Sequence, residues 1–146
     1  MEAQPNINNK DKKIKLDFKD SKYATGRRKR SIARVWLKKG NGNIIINGKK
    51  IVDYFINENL QIAVYRPLKV VKSENLYDIR ANVKGGGLTG QAGAIILGIS
   101  KALVEMEPSN KPALKKEKLT TRDSRSVERK KYGHRKARRS FQFSKR

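Results

Sequence analysis

Apolar and polar side chains alternate most cleanly over Tyr77–Lys84, where Tyr77, Ile79, Ala81 and Val83 interleave with Asp78, Arg80, Asn82 and Lys84. A period of two sends successive side chains to opposite faces, so this stretch predicts a strand with one buried face. The same period runs through Ser31–Lys39, with Ala33, Val35 and Leu37 set against Arg34, Trp36 and Lys38. Gly40-Asn41-Gly42-Asn43 follows, and Asn-Gly tolerates the positive φ angles of a tight turn. Residues 43–47, with Ile44, Ile45 and Ile46, are therefore expected to pair back on Ser31–Lys39 as a hairpin. Asn47-Gly48 is expected to make the next turn.

Two longer stretches carry a helical period instead. Residues 51–71 read as mainly helical, with Tyr54, Phe55, Leu60, Ile62, Ala63 and Val64 as buried candidates and Pro67 as an interruption. A second helix is expected from near Thr89 to about Glu105, with Ala92, Ile95, Ile96, Ile99 and Leu103 on its apolar face. Gly93 and Gly98 lie inside it, each costing about 1 kcal/mol relative to Ala. Close approach of another backbone would compensate. Pro108 ends this helix, and residues 113–119 could form one more short one. The fold class is thus mixed α/β, of the α+β kind, over a globular region 22–119. Residues 1–21 are polar and aperiodic and read as a flexible extension. Residues 120–146 read as an extended basic tail.

Charge sharpens this division. The formal net charge is +23. Residues 21–50 contribute +10 with no acid, and residues 115–146 contribute +11, while residues 51–114 are nearly neutral at +1. Two basic zones flanking a neutral body suit a protein that grips a polyanion at two places. Residues 129–146, RKKYGHRKARRSFQFSKR, hold nine Lys or Arg, no acid and two Phe. Such a segment has too few apolar side chains to offset its ordering entropy, and its charges repel. Fully extended at about 3.3 Å per residue it would reach roughly 60 Å. Phosphates would supply the countercharge, and Phe and Arg side chains stack on bases.

Other classes find little support. No run of 18 apolar residues is present, and no apolar stretch of a signal peptide is visible near residue 1. A cationic membrane-surface helix is not supplied by a tail containing Gly133, Ser140, Phe141 and Phe143. With no Cys and a single His, His134, neither a transition-metal site nor a Cys/His nucleophile pair is available. No cofactor, metal or catalytic residue is expected. Gly85, Gly87 and Gly90 satisfy G-x-G-x-x-G between a strand and a helix, as a dinucleotide site requires. However, the acids about 20 residues on, Glu105 and Glu107, fall at the end of that same helix rather than on a second parallel strand. Either a bare turn or a cradle for a nucleic-acid phosphate remains, and Lys84 beside it favours the phosphate. Arg27, Arg28, Lys29 and Arg30 form a basic loop ahead of the first predicted strand and are phosphate-binding candidates. Trp36 either packs under the N-terminal segment or stacks on a base.

These motifs together resemble the small-subunit ribosomal protein family numbered nine, in its bacterial form. The matching residues are Thr25-Gly26-Arg27-Arg28-Lys29, Ala33-Arg34-Val35, Gly40-Asn41-Gly42, and Gly85-Gly86-Gly87 with Gly90-Gln91-Ala92-Gly93-Ala94. They continue through Arg122-Asp123, Glu128-Arg129-Lys130-Lys131 with Gly133, and Gln142-Phe143-Ser144-Lys145-Arg146. The resemblance covers about residues 22–146, in order. It implies a compact, mostly antiparallel sheet packed with helices, with a left-handed βαβ crossover against the usual rule. It implies a cytoplasmic, ribosome-bound protein in the head of the small subunit, on 16S-type RNA beside other head proteins. The candidate RNA contacts, from the basic loop, the glycine turn and the tail, are Arg27, Arg28, Lys29, Arg30, Lys84, Gly85, Gly86 and Gly87, then Arg122, Arg125, Arg129, Lys130, Lys131, Arg135, Lys136, Arg138 and Arg139. The resemblance further implies that Ser144, Lys145 and Arg146 touch the anticodon stem-loop of peptidyl-site tRNA. Two departures stand out: residues 1–21 have no counterpart in the family pattern, and Phe141 stands where many members have Pro.

Overall fold

A computed structural model describes residues 20–145. The N-terminal extension, apart from its last residues, and Arg146 lie outside the described residues. Five strands form one sheet in the order β1-β2-β5-β3-β4. They are β1 (Lys22–Arg28), β2 (Ser31–Lys39), β3 (Ile44–Ile46), β4 (Lys49–Lys50) and β5 (Tyr77–Lys84). The helices are α1 (Ile51–Tyr54), α2 (Glu58–Val71), α3 (Leu88–Met106) and α4 (Lys111–Lys116), with a 3-10 turn at Pro108–Asn110. Every strand pair is antiparallel except β3 with β5, which run parallel and are joined through β4, α1 and α2.

The two strands with clean alternation form with the predicted bounds, and they pair with each other from Ile32↔Lys84 to Lys39↔Tyr77. The expected hairpin between β2 and β3 does not form. Instead β5 inserts between them, and Ile44, Ile45 and Ile46 pair with Ile79, Arg80 and Ala81. The physical reason lies in the linker and in the three isoleucines. Asp78 Oδ1 accepts the backbone N–H of Asn41 (3.0 Å) and of Asn43 (2.9 Å), and Gly40 N–H bonds Leu76 O at 2.9 Å. These bonds carry the chain across the start of β5. All three isoleucines are buried, which suits a strand covered on both faces rather than a half-exposed hairpin arm. Asn47-Gly48 does turn the chain, with φ of 51° and 83°, and leads to β4.

A first strand precedes the predicted one. Arg27 and Arg28, expected in a basic loop, end a strand instead: residues 22–28 are β1, paired with β2 from Lys22↔Leu37 to Arg28↔Ser31. Only Ala24 and Gly26 face inward from it, so its buried face carries almost no hydrophobic signal. The small residues serve α3, which lies across β1 and β2. A Cβ at Gly26 would overlap the Ala94 carbonyl oxygen and stand 2.5 Å from the Gly98 amide nitrogen. A Cβ at Gly98 would come within 2.6 Å of Val35 Cγ2, and one at Gly93 within 2.9 Å of Arg28 Cγ. The glycines inside α3 are thus compensated by close approach to the sheet, Gly93 and Gly98 chiefly to the side chains of Arg28 and Val35 rather than to another backbone as expected.

The core lies between the sheet and α3, where Val35, Leu37, Ile79, Ala81, Ile95, Ile99 and Leu103 are fully buried. Each large aliphatic side chain buried here contributes about 1.5–3 kcal/mol. Helix α2 closes the side of α3 with Val64 and Leu68, and Leu114 of α4 completes the layer. Two expectations for residues 51–71 change. Pro67 lies within α2 and is fully buried; the helix continues past it to Val71, because burial of the ring offsets the lost N–H bond. Ile62, expected inside, is 57% exposed, since α2 turns Val64, Pro67 and Leu68 inward instead. The last helix spans Lys111–Lys116 rather than residues 113–119, and Leu119 is buried just beyond it.

Candidate nucleic-acid interface

Three of the predicted basic elements converge at one corner of the body. The β1–β2 connection is only Lys29 and Arg30, with Lys29 at φ 51°. A turn this tight projects both side chains away from the sheet, and both are exposed. Gly85 and Gly86 follow β5 at φ 74° and 63°, a region that non-glycine residues seldom adopt. Ser31, at the start of β2, donates its hydroxyl to Gly85 O at 2.9 Å, and Gln91 Nε2 donates to the same oxygen at 3.2 Å. These bonds lock the glycine turn against the basic turn. Gly87 then caps α3 with no side-chain partner for the first amides, and no acid stands in the first turn. The N-terminal end of α3 therefore presents free amides and its positive dipole end beside Lys84, Lys29 and Arg30.

The tail starts at the same corner. Arg28 Nη2 lies 3.0 Å from Asp123 Oδ2, and Arg28 Nη1 donates to Arg125 O at 3.0 Å. Arg125 folds back on Asp123 through its own N–H (2.9 Å), its Nε (3.1 Å) and its Nη2 (2.8 Å). Two cations predicted to meet phosphates thus share one carboxylate and tie the tail root to the end of β1. Hydrogen bonds from Arg125, reinforced by the charges of Arg125 and Arg28, hold the Asp123 carboxyl well below the usual carboxylate range. A group depressed in the folded state contributes stability above its unfolded value, about 3.9, and loses it as pH falls through the lower folded value. The tie is accordingly complete at neutral pH. The Arg125 amide resonance should hold its position down to about pH 4 and move only below that, and Asp123→Asn should abolish the titration. A midpoint at or above the ordinary aspartate value would contradict the tie.

Beyond Asp123 the tail holds no regular element. It is drawn together between Glu128 and Arg138, whose carboxylate and guanidinium meet at 2.7 Å, and by a single bridge from His134 to Ser140. Arg138 hydrogen-bonds Glu128 and so lowers that carboxyl. Arg135 lies 5.4 Å over the Phe141 ring. Arg122, Arg129, Lys130, Lys131, Arg135, Lys136 and Arg139 are exposed, as are Ser144 and Lys145. The corner brings together Arg28, Lys29, Arg30, Lys84, Gly85, Gly86, Gly87 and Arg125, while Glu128, His134, Arg135 and Arg138 find their partners within the tail.

The sequence reading left Trp36 open, and Tyr23 did not enter it at all. Trp36 stands on the sheet face opposite α3, its ring 5.3 Å from Tyr23, with Arg34 and Arg80 each 5.8 Å from its centroid. No local signal marked Tyr23, because the buried residues of its strand, Ala24 and Gly26, carry little hydrophobic contrast.

Among the described residues no group of three or more His, Cys, Asp or Glu lies together in a way that would hold a metal ion. No helix among them is long and apolar enough to cross a membrane. What the surface offers is cations, free amides and aromatic rings, which is the chemistry of phosphate and base contact. The family model described as ribosomal protein S9/S16 matches residues 26–146, from the middle of β1 through the whole tail. The protein therefore belongs to the ribosomal protein S9/S16 family, the non-enzymatic, RNA-binding structural components of the small ribosomal subunit.

Proposed function

We propose that the chain holds 16S-type RNA in the head of the small subunit with its basic corner, and runs its tail through that RNA to the peptidyl-site tRNA. The observation that carries this reading is the Arg28–Asp123 pair, which launches the tail from the corner where Lys29, Arg30 and the glycine turn already gather. Phosphates would meet Arg27, Lys29, Arg30, Lys84 and the backbone amides around Gly85, Gly86 and Gly87. Arg122, Arg129, Lys130, Lys131, Arg135, Lys136 and Arg139 would anchor the tail, with Arg28, Arg125 and Arg138 shared between acids and RNA. Neighbouring head proteins would complete the surroundings. Residues Ser144, Lys145 and Arg146 come after this anchor, past Phe141 and Phe143, whose stacking would set the direction of exit.

Deleting residues 144–146 removes two cations and one hydroxyl and leaves the body and most tail charge in place. Small subunits should still assemble. Retention of peptidyl-site tRNA should weaken by about 1–3 kcal/mol, the worth of two charge-assisted phosphate contacts. Lys145→Ala and Arg146→Ala should each give part of the loss, for every tRNA alike, since phosphates carry no sequence. Filter binding of several tRNAs to purified variant subunits measures this. Wild-type affinity after the deletion would mean that these residues do not reach the tRNA.

A further inference from the structure

The sheet has a second face, which meets the basic corner only along its Arg27–Ile32–Lys84 end. Helix α3 covers the side bearing Ala33, Val35, Ile79 and Ala81. On the other side the strand register sets three rows across β1, β2 and β5: Tyr23–Trp36–Arg80, Thr25–Arg34–Asn82 and Arg27–Ile32–Lys84. Tyr23, on the edge strand β1, and Ile32, on the inner strand β2, are each 43% exposed. Ile32, Arg34, Asn82 and Lys84 line a shallow hollow of about 210 Å³.

Charge decides what such a face can take. Arg27, Arg34, Lys38, Arg80 and Lys84 lie on it against one acid, Asp78, whose Oδ1 is already engaged by the Asn41 and Asn43 amides. Among the described residues none of these five cations pairs with a carboxylate. Arg34 and Arg80 are instead set beside the Trp36 ring. A guanidinium resting on an aromatic face is oriented yet keeps its N–H edge free, which suits a phosphate. An apolar protein partner would have to desolvate five unpaired cations, whereas a polyanion with flat, stackable groups satisfies both the charges and the rings.

We infer that this face binds a run of unpaired ribonucleotides, with bases stacked on Tyr23 and Trp36 and over the Ile32 hollow, and with phosphates held by Arg34, Arg80 and Lys84. Duplex RNA has its bases stacked internally and offers this platform only its backbone. The inference rests on the RNA-binding reading above and adds a second, stacking contact to its phosphate-gripping corner.

Trp36 is the only tryptophan, so its fluorescence reports on this face directly. The full-length protein is titrated at low salt with short oligoadenylate, with the oligoadenylate–oligouridylate duplex, and with heparin, while filter retention follows total binding of each RNA. The unpaired strand should quench Trp36, and the duplex and heparin should bind while leaving its emission largely unchanged. The double variant Arg34→Glu, Arg80→Glu should lose the quench and bind the unpaired strand about tenfold or more weakly, while still melting cooperatively in urea. Retention of the unpaired strand without any quench would overturn the inference and leave the corner-and-tail reading standing. Equal quenching by heparin would also overturn it, because charge without bases would then suffice. No retention of any RNA would remove the RNA-binding reading itself.

Discussion

Affinity for ribosomal RNA should fall about 10³–10⁵-fold between roughly 50 and 200 mM salt, as for a protein that neutralises six to ten phosphates. The size of the effect follows from the charge layout: +10 over residues 21–50, of which the corner turn is part, and +11 over residues 115–146. Each phosphate neutralised releases a condensed counterion, so the logarithm of affinity is linear in the logarithm of salt. Replacing Arg27, Lys29 and Arg30 together with Ala should flatten that line by up to about three counterions. Arg28 is left intact in this variant because it holds Asp123 and the Arg125 carbonyl; removing it would release the tail and mix two effects. An unchanged slope in the triple variant would place the β1–β2 turn in water rather than on RNA.

Gly26→Ala should destabilise the body by about 3 kcal/mol, enough to lower the thermal midpoint by more than about 10 °C. The added methyl meets backbone on α3, the Ala94 carbonyl oxygen and the Gly98 amide, and neither can swing aside as a side-chain end would. Either α3 lifts from β1 or β1 shifts along β2. Both moves displace Arg28 at the end of β1 and with it the tail root, so RNA affinity should fall along with stability. Gly87→Ser is the matched control. A Cβ there meets nothing within 4 Å, and Ser is a good N-cap, so stability should change by only a few tenths of a kcal/mol. Urea melts of the two variants decide the matter. A Gly26→Ala midpoint equal to the control's would mean that α3 does not seat on β1 as described.

Periodicity made β2, β5 and α3 legible because each has one strongly apolar face: Val35 and Leu37, Ile79 and Val83, Ile95 and Ile99. The strand β1 was hidden by the same physics. Its inward residues are Ala24 and Gly26, small so that α3 can approach, and small residues carry little hydrophobic contrast. Strand pairing was harder still. The placement of β3 beside β5 depends on Asp78 reaching back to Asn41 and Asn43, a contact across 35 or more residues that no local pattern announces. For the interface, the basic clusters and the glycine run were plain in the sequence, since charge and positive φ are local properties. What could not be read there is which cations are shared with acids: Arg28 reaches Asp123 from the far end of the chain and Arg138 closes a loop on Glu128, and only the Arg125–Asp123 pair, two residues apart, is local. The Tyr23–Trp36–Arg80 row was likewise invisible until β1 was known to exist and its register with β2 was fixed.

If RNA holds this chain on the small ribosomal subunit, the two should travel together when a cell lysate is sedimented through a sucrose gradient that separates the subunits. Followed by antibody, the chain should be recovered with the small subunits at low salt and be released progressively into the top fractions as salt rises. Recovery in the top fractions at low salt, with the small subunits devoid of the chain, would contradict that placement.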